Sequence, residues 1–182
     1  MSHATTIHSE RLDLLPMTPD FLKASLRRDR TTAADLLGAP VPDEWLDEGE
    51  FIALRLEQLL DDPDFQPWCV RAILLRETGE MVGHIGFHTR PDPPYLAEIA
   101  PDAVEFGYTI FALFRRRGYA EEAARGLMAW AAGEPEVERF ILSISPENAP
   151  SLALAQKLGF ARISEWIDEV DGLEWVFARE VG

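Results

Sequence analysis

The sequence predicts an α/β domain built on a mixed sheet, and three features carry that prediction. Apolar residues recur at helical spacing through the first third of the chain, and from Trp68 onward short strand-forming runs replace them. Between Ala103 and Ala131 a strand, a basic loop containing Gly118 and a helix follow one another without interruption. Near the end, Phe160 to Ile167 and Leu173 to Arg179 read as two strands joined around Asp171-Gly172, a favoured hairpin turn.

The elements follow in order. Arg11 to Leu15 reads as a short strand that Pro16 ends. Thr18-Pro19-Asp20 then opens a helix, because Thr18 can accept a first-turn N–H and proline is tolerated at the first helical position. Trp45, Leu46, Ile52, Leu56, Leu59 and Leu60 repeat at helical spacing with an interruption at Gly49, so the acidic first third holds one or more helices. Trp68–Arg76 and Met81–Thr89 flank the turn Glu77-Thr78-Gly79-Glu80 and predict a hairpin. Pro91, Pro93 and Pro94 mark a loop before the strand 103–111. After the basic loop, Ala120, Ala123, Ala124, Leu127, Met128 and Ala131 form a helical face that Gly133 and Pro135 close. Arg139–Ile144 is a further strand, and Asn148–Leu158 a short helix stopped by Gly159.

With 182 residues and no repeat or linker-like tract, the chain predicts one domain over residues 1–182. Its 17 basic and 32 acidic residues give a net charge of −15. That balance argues against nucleic-acid binding, which needs a basic face, and against an anionic membrane surface; it favours cationic partners. No apolar run approaches the ~20 residues a membrane helix needs, and MSHATTIHSERLDLLPM lacks the basic-then-apolar order of a signal peptide. A cytoplasmic protein is expected. A single cysteine, Cys69, excludes an internal disulfide and a Cys-rich zinc site. His84 and His88 share one strand face but stand about 13 Å apart at ~3.3 Å per residue, too far to share a metal, so no metal is expected. They read as surface or pocket-lining residues. Trp45, Trp166 and Trp175, if exposed, would offer a homodimer contact; the alternative is internal packing.

The segment VEFGYTIFALFRRRGYAEEAARGLMAW carries the most chemistry. The first turn of a helix has backbone N–H groups without intrahelical acceptors, and the helix dipole makes that end positive. Gly118 lets a phosphate approach the backbone, and Arg115, Arg116 and Arg117 form the longest basic run in an acidic chain. An anionic ligand at this loop follows; the alternative is a solvated basic turn. Neither a GxxxxGK[ST] nor a GxGxxG spacing is present.

Arg115, Gly118 and Ala120, spaced R-x-x-G-x-A between strand and helix, resemble the acetyl-coenzyme A pyrophosphate loop of the GNAT N-acetyltransferase superfamily. SERLDLLPMTPD, MVGHIGF, VEFGY and SPENAPSLALAQKLGF occur in the order found in its RimJ/RimL-like branch. The resemblance implies a mostly antiparallel central sheet flanked by helices and an acetyl-CoA-dependent transfer to a primary amine. It implies that backbone amides of Arg115, Arg116, Arg117, Gly118, Tyr119 and Ala120 bind the pyrophosphate, that Ile110 and Phe111 pair with the pantetheine arm, that Asn148 bonds it, and that Ser151 lies near the sulfur. Thr109 and Ala112 stand where the branch often has Trp and Pro, which affects the acceptor pocket.

Amine acetylation requires a neutral amine and a protonated leaving thiol. Glu105, on the strand face opposite Phe106 and Tyr108, is the candidate base; the alternative is a structural ion-paired carboxylate. Ser151 and Tyr108 are the competing acids, with capping of the next helix and core packing as their alternatives. The acceptor is a protein or peptide N-terminal amine or a small cationic amine such as a polyamine or aminoglycoside. The acidic residues 43–50, 61–64 and 168–171 form a solvated face or line an acceptor entrance. Two other readings stay open: a catalytically idle fold that binds acyl-coenzyme A as a sensor, and a nucleotide at the basic loop.

Overall fold

The computed structural model describes residues 4–168, 170 and 172–182. The strands are β1 (Ile7–His8), β2 (Leu12–Pro16), β3 (Arg71–Leu75), β4 (Met81–Phe87), β5 (Ala103–Ile110), β6 (Arg139–Ile144), β7 (Ala161–Asp168) and β8 (Gly172–Glu180). The helices are α1 (Pro19–Leu26), α2 (Arg30–Leu37), α3 (Asp43–Leu46), α4 (Gly49–Asp61), α5 (Tyr119–Ala131) and α6 (Ala149–Lys157). The strands are hydrogen-bonded in the order β1-β2-β3-β4-β5-β6-β8-β7. Pairing is antiparallel for β1/β2, β2/β3, β3/β4, β6/β8 and β7/β8, and parallel for β5/β6. The mixed, mostly antiparallel sheet flanked by helices is the one expected.

The chain forms two compact units: Met1–Gly86 with Tyr108–Gly126, and Phe87–Gly107 with Leu127–Gly182. In the first, Thr18 caps α1 by accepting the Phe21 N–H, with Pro19 at the first helical position. The helix α2 was not separately legible: Asp29 caps it, accepting from Thr32, and Gly38 ends it at φ 74°. Trp45 is fully buried against Phe21, with its indole N–H donating to Ser25 Oγ at 2.9 Å, so its place is core rather than interface. Every residue of β4 is buried, which requires the two glycines of MVGHIGF. A Cβ on Gly83 would stand 2.1 Å from the Thr109 carbonyl oxygen, and one on Gly86 2.6 Å from the Val70 Cα. Cys69 is also buried, and burial pushes its thiol up to about 11, which leaves it without thiolate character at neutral pH.

In the second unit Leu96, Ala100, Ala103, Ile141 and Val176 form a core cluster, with Trp166 and Ala178 packed against it. The C-terminal strand β8 inserts between β6 and β7, which leaves β7 at the edge. Trp166 and Trp175 are half-buried; Arg162 covers the Trp175 ring at 4.3 Å. Glu169 and Asp171 of the acidic turn lie outside the described residues. No helix among the described residues is long and apolar enough to cross a membrane.

Candidate active site

The basic loop belongs to the first unit. From the end of β5 the chain makes a short 3-10 turn, Ala112–Phe114, and reaches α5 through Arg115–Gly118. Gly118 has φ 81° and Arg116 φ 61°. A left-handed arginine is a local strain, on the order of 1 kcal/mol, that the surrounding fold must hold. Among the described residues, the N–H groups of Arg116, Arg117, Gly118, Tyr119 and Ala120 meet no acceptor, while the first helical bond runs from the Glu122 N–H to the Gly118 carbonyl. The three arginines and Gly118 are exposed.

Several contacts keep this end of α5 positive and in place. The Arg115 guanidinium donates to the Ile110 carbonyl at 2.9 Å, tying the loop to β5. Arg11 does more. Its Nη1 donates to the Arg117 carbonyl at 3.1 Å, its Nε to Glu122 Oε2 at 2.7 Å and its backbone N–H to Glu122 Oε1 at 2.6 Å. Its guanidinium also lies 4.8 Å from the centre of the Tyr119 ring. Ser9 Oγ donates to the same Glu122 carboxylate at 2.7 Å. Burial alone would raise the Glu122 carboxyl; the Arg11 N–H, Ser9 and the Arg11 guanidinium outweigh it and hold it below its ordinary value. Glu121 is paired with Arg125 one turn on, at 3.1 Å. Both first-turn carboxylates are therefore neutralised, which leaves the helix dipole available to an anion. Arg11 was not recognised as a site residue, although it sits in the SERLDLLPM segment.

Ile110 is buried and Tyr108 half-buried in the same unit. Phe111 is buried, and its N–H donates to the Val82 carbonyl at 2.9 Å. That amide is already committed to β4. Strand alternation turns the amides of Ile110 and Tyr108 to the side of β5 away from β4.

Glu105, Asn148 and Ser151 belong to the second unit. The parallel ladder of β5 with β6 ends at Glu105↔Ile141, so the two strands pair over only three positions. The Glu105 side chain is 4% exposed. Tyr95 donates its hydroxyl to Glu105 Oε2 at 2.8 Å, and His88 Nδ1 stands 3.6 Å from the same oxygen. The His88 backbone N–H also donates to the Glu105 carbonyl. Burial would raise the Glu105 carboxyl, but His88, the Ser143 hydroxyl and Tyr95 together hold it below its ordinary value. Gly107 makes room for this arrangement, since a Cβ there would stand 2.8 Å from His88 Nε2. Asn148 caps α6, with Oδ1 accepting the Ser151 N–H at 3.2 Å. Capping is thus done by Asn148 rather than Ser151, which is half-buried within the first turn.

Of the two places expected for His84, the surface is not the one it takes. Its side chain is 5% exposed, and its Nε2 lies 2.8 Å from Glu48 Oε2. Phe51, Trp45 and Phe111 surround the imidazole, with centroids 4.9, 5.3 and 6.3 Å away. No signal in the sequence joins positions 36 residues apart. Among the described residues no group of three or more His, Cys, Asp or Glu side chains is arranged to hold a metal ion.

A mixed, mostly antiparallel sheet whose strand β5 leads into an exposed, arginine-bearing helix N-terminus defines an α/β class of protein with a basic junction after β5. The chain belongs to the acetyltransferase (GNAT) domain family, which matches residues 11–161. It is similar to two Bacillus subtilis proteins described as uncharacterised N-acetyltransferases. Identity to YjdG is 27% over 88% of this chain and 96% of that protein. Identity to YnaD is 29%, over 53% of this chain and 58% of that protein. Its fold is shared with RimL, a ribosomal L7/L12 alpha-N-protein acetyltransferase solved with coenzyme A, at TM-score 0.66 and 16% identity over 97% and 98% of the two chains. It is shared equally with the ribosomal-protein-S5-alanine acetyltransferase of Vibrio fischeri, at TM-score 0.66 and 13% identity over 97% and 96%.

Proposed function

We propose that the protein transfers the acetyl group of acetyl-CoA directly to a primary amine, through a ternary complex. The observation that carries this reading is the loop Arg115–Ala120, whose five acceptor-free amides, positive-φ glycine and paired first-turn carboxylates suit a pyrophosphate. Arg115, Arg116 and Arg117 would add charge, the outward amides of Ile110 and Tyr108 would meet the pantetheine arm, and Asn148 would offer its side-chain amide nitrogen. Acetyl-CoA supplies the activated thioester. The chain's own part is to hold it, to orient the amine and to move its proton.

Glu105 enters this reading as an anchor of β5 rather than as the base. It is buried, held by Tyr95 and His88, and kept ionised by them, so a further proton is disfavoured there. Ser151 and Tyr108 remain the groups proposed to protonate the leaving thiolate. The acceptor is taken to be a peptide or protein N-terminal amine, the substrate class named for RimL and the Vibrio fischeri enzyme, with a small cationic amine as the next choice. The exposed carboxylates Asp43, Glu44, Asp47 and Glu50 and the net charge of −15 favour either cation.

Calorimetric titration with acetyl-CoA, with coenzyme A and ATP as controls, tests the reading. Micromolar binding that needs the pantetheine arm is expected, and folded protein that binds none of the three sinks it. Replacement of Arg11 by Ala should weaken acetyl-CoA binding about tenfold, because the loop loses its tie to β2 and Glu122 loses its cationic partner. The committed bonds of Glu105 also favour a second reading, an idle acyl-coenzyme A-binding module. Tight binding with no turnover across a panel of peptide and alkyl amines would establish that one instead.

A further inference from the structure

If Glu105 is held as a fixed anion, the acceptor's proton needs another destination. Among the described residues, the first unit contains one buried imidazole, His84, on β4. Its position along the sheet follows from two observations. The Phe111 N–H donates to the Val82 carbonyl, which in an antiparallel pair sets His84 opposite Thr109. Gly83 lies directly against Thr109 and Ile110. His84 therefore flanks the end of β5 that the proposed reaction uses, and the Phe111 ring at 6.3 Å marks the same place.

The chemistry of the pair is as specific as its position. An ionised carboxylate only accepts hydrogen bonds, so the Glu48 contact assigns the hydrogen to His84 Nε2. Nδ1 then carries the lone pair, and it has no partner among the described residues. The groups around the ring are Glu48 and Phe51 from the start of α4, Trp45 from α3 and Phe111 beyond β5. Arg55 adds a further charge to this stack, its guanidinium lying 4.9 Å from the Phe51 ring. The rings hold the imidazole plane in place. Glu48, with its side chain 27% exposed, can balance the charge of a protonated imidazole.

We propose that His84 and Glu48 form the proton-accepting pair for the acceptor amine, an inference that rests on the acetyl-transfer reading above. Nδ1 takes one proton from the acceptor ammonium. The freed nitrogen lone pair forms the C–N bond as the thioester C–S bond breaks, and the second proton the nitrogen sheds balances the one gained by the departing thiolate. The substrate class is an amine that arrives protonated. A merely structural pair would instead fasten α4 to β4 and have no part in the transfer.

The test uses the full chain, acetyl-CoA and two kinds of nucleophile at pH 7. An alanine-initiated tetrapeptide and an alkyl diamine arrive mostly protonated, whereas methoxyamine is a weak base and arrives neutral. His84→Gln keeps a donor toward Glu48 but removes the lone pair. It should lower kcat/KM about 100-fold or more for the protonated amines and leave methoxyamine within about threefold. Equal losses for both kinds, or no loss, would overturn the pair's role. Melting temperature and acetyl-CoA affinity of the variant should match the wild type. A readout independent of turnover is the nitrogen-15 spectrum of the wild-type imidazole, expected to show a protonated Nε2; a protonated Nδ1 in the neutral ring overturns the proposal. Wild type that binds no acetyl-CoA fails the acetyl-transfer reading and this role with it. Wild type that turns over indifferently to His84 fails this role alone.

Discussion

Each of the two units holds one glutamate–histidine pair, and they are built in opposite senses. In the second unit the carboxylate is the buried partner: Glu105 is 4% exposed and His88 39%. In the first the imidazole is buried: His84 is 5% exposed and Glu48 27%. A buried carboxylate with several donors is stabilised in its charged form and resists taking a proton. A buried imidazole with one nitrogen committed has a defined tautomer and one lone pair in a fixed direction. The residue types are the same, so burial decides which pair is a fixed charge and which can exchange a proton.

The largest effect that can break this comparison is Glu105→Ala. It removes an acceptor of the Tyr95 hydroxyl and the carboxylate beside His88, and should cost about 2–3 kcal/mol. Calorimetry would read this as a fall in Tm of about 5–10 °C. Glu105→Gln keeps an acceptor for Tyr95, should cost about 1 kcal/mol, and should leave kcat within about tenfold of wild type. A Gln variant without turnover but with intact acetyl-CoA binding would return the base to Glu105. The pH dependence sharpens the same point. Because the folded carboxyl lies below its ordinary value, its contribution is present above the ordinary carboxylate range and is lost as pH falls through the depressed value. The Tm difference between wild type and Glu105→Gln should therefore shrink between pH 7 and pH 3; a constant difference would show that the charge is not what stabilises.

Smaller effects complete the series. Gly107→Ala places a methyl against the His88 ring at 2.8 Å. Because His88 is partly exposed and can move, the cost should be about 1 kcal/mol, with the Tyr95 bond retained. Glu48→Gln should change stability least, by less than about 1 kcal/mol in chemical denaturation, since its carboxylate reaches solvent. Its effect belongs to the transfer step instead. A large loss of stability in that variant would mark the His84–Glu48 pair as structural, like its counterpart.

Much of the fold was legible because it depends on local chemistry. Thr18-Pro19 opening α1, Gly159 ending α6 and the strand 139–144 are set by capping and periodicity within a few residues. The basic loop was legible for the same reason, since Arg115–Ala120 is one continuous string. The separate helix α2 was missed because RTTAADLL has a weak apolar face. Trp45 was left open between core and interface because a sequence does not show what covers a side chain.

The sequence by itself thus determined most element types, the basic strand–loop–helix junction, the family and the face of β5 on which Glu105 stands. Tertiary structure alone decided that β8 enters between β6 and β7, that Arg11 clamps the loop from 106 residues away, and that Asn148 rather than Ser151 caps α6. It alone joined Glu48 to His84 and Tyr95 to Glu105. The physical reason is range. Helix, turn and cap preferences are settled between near neighbours in the chain, whereas the protonation and exposure of a carboxylate or imidazole depend on which distant groups packing brings against it.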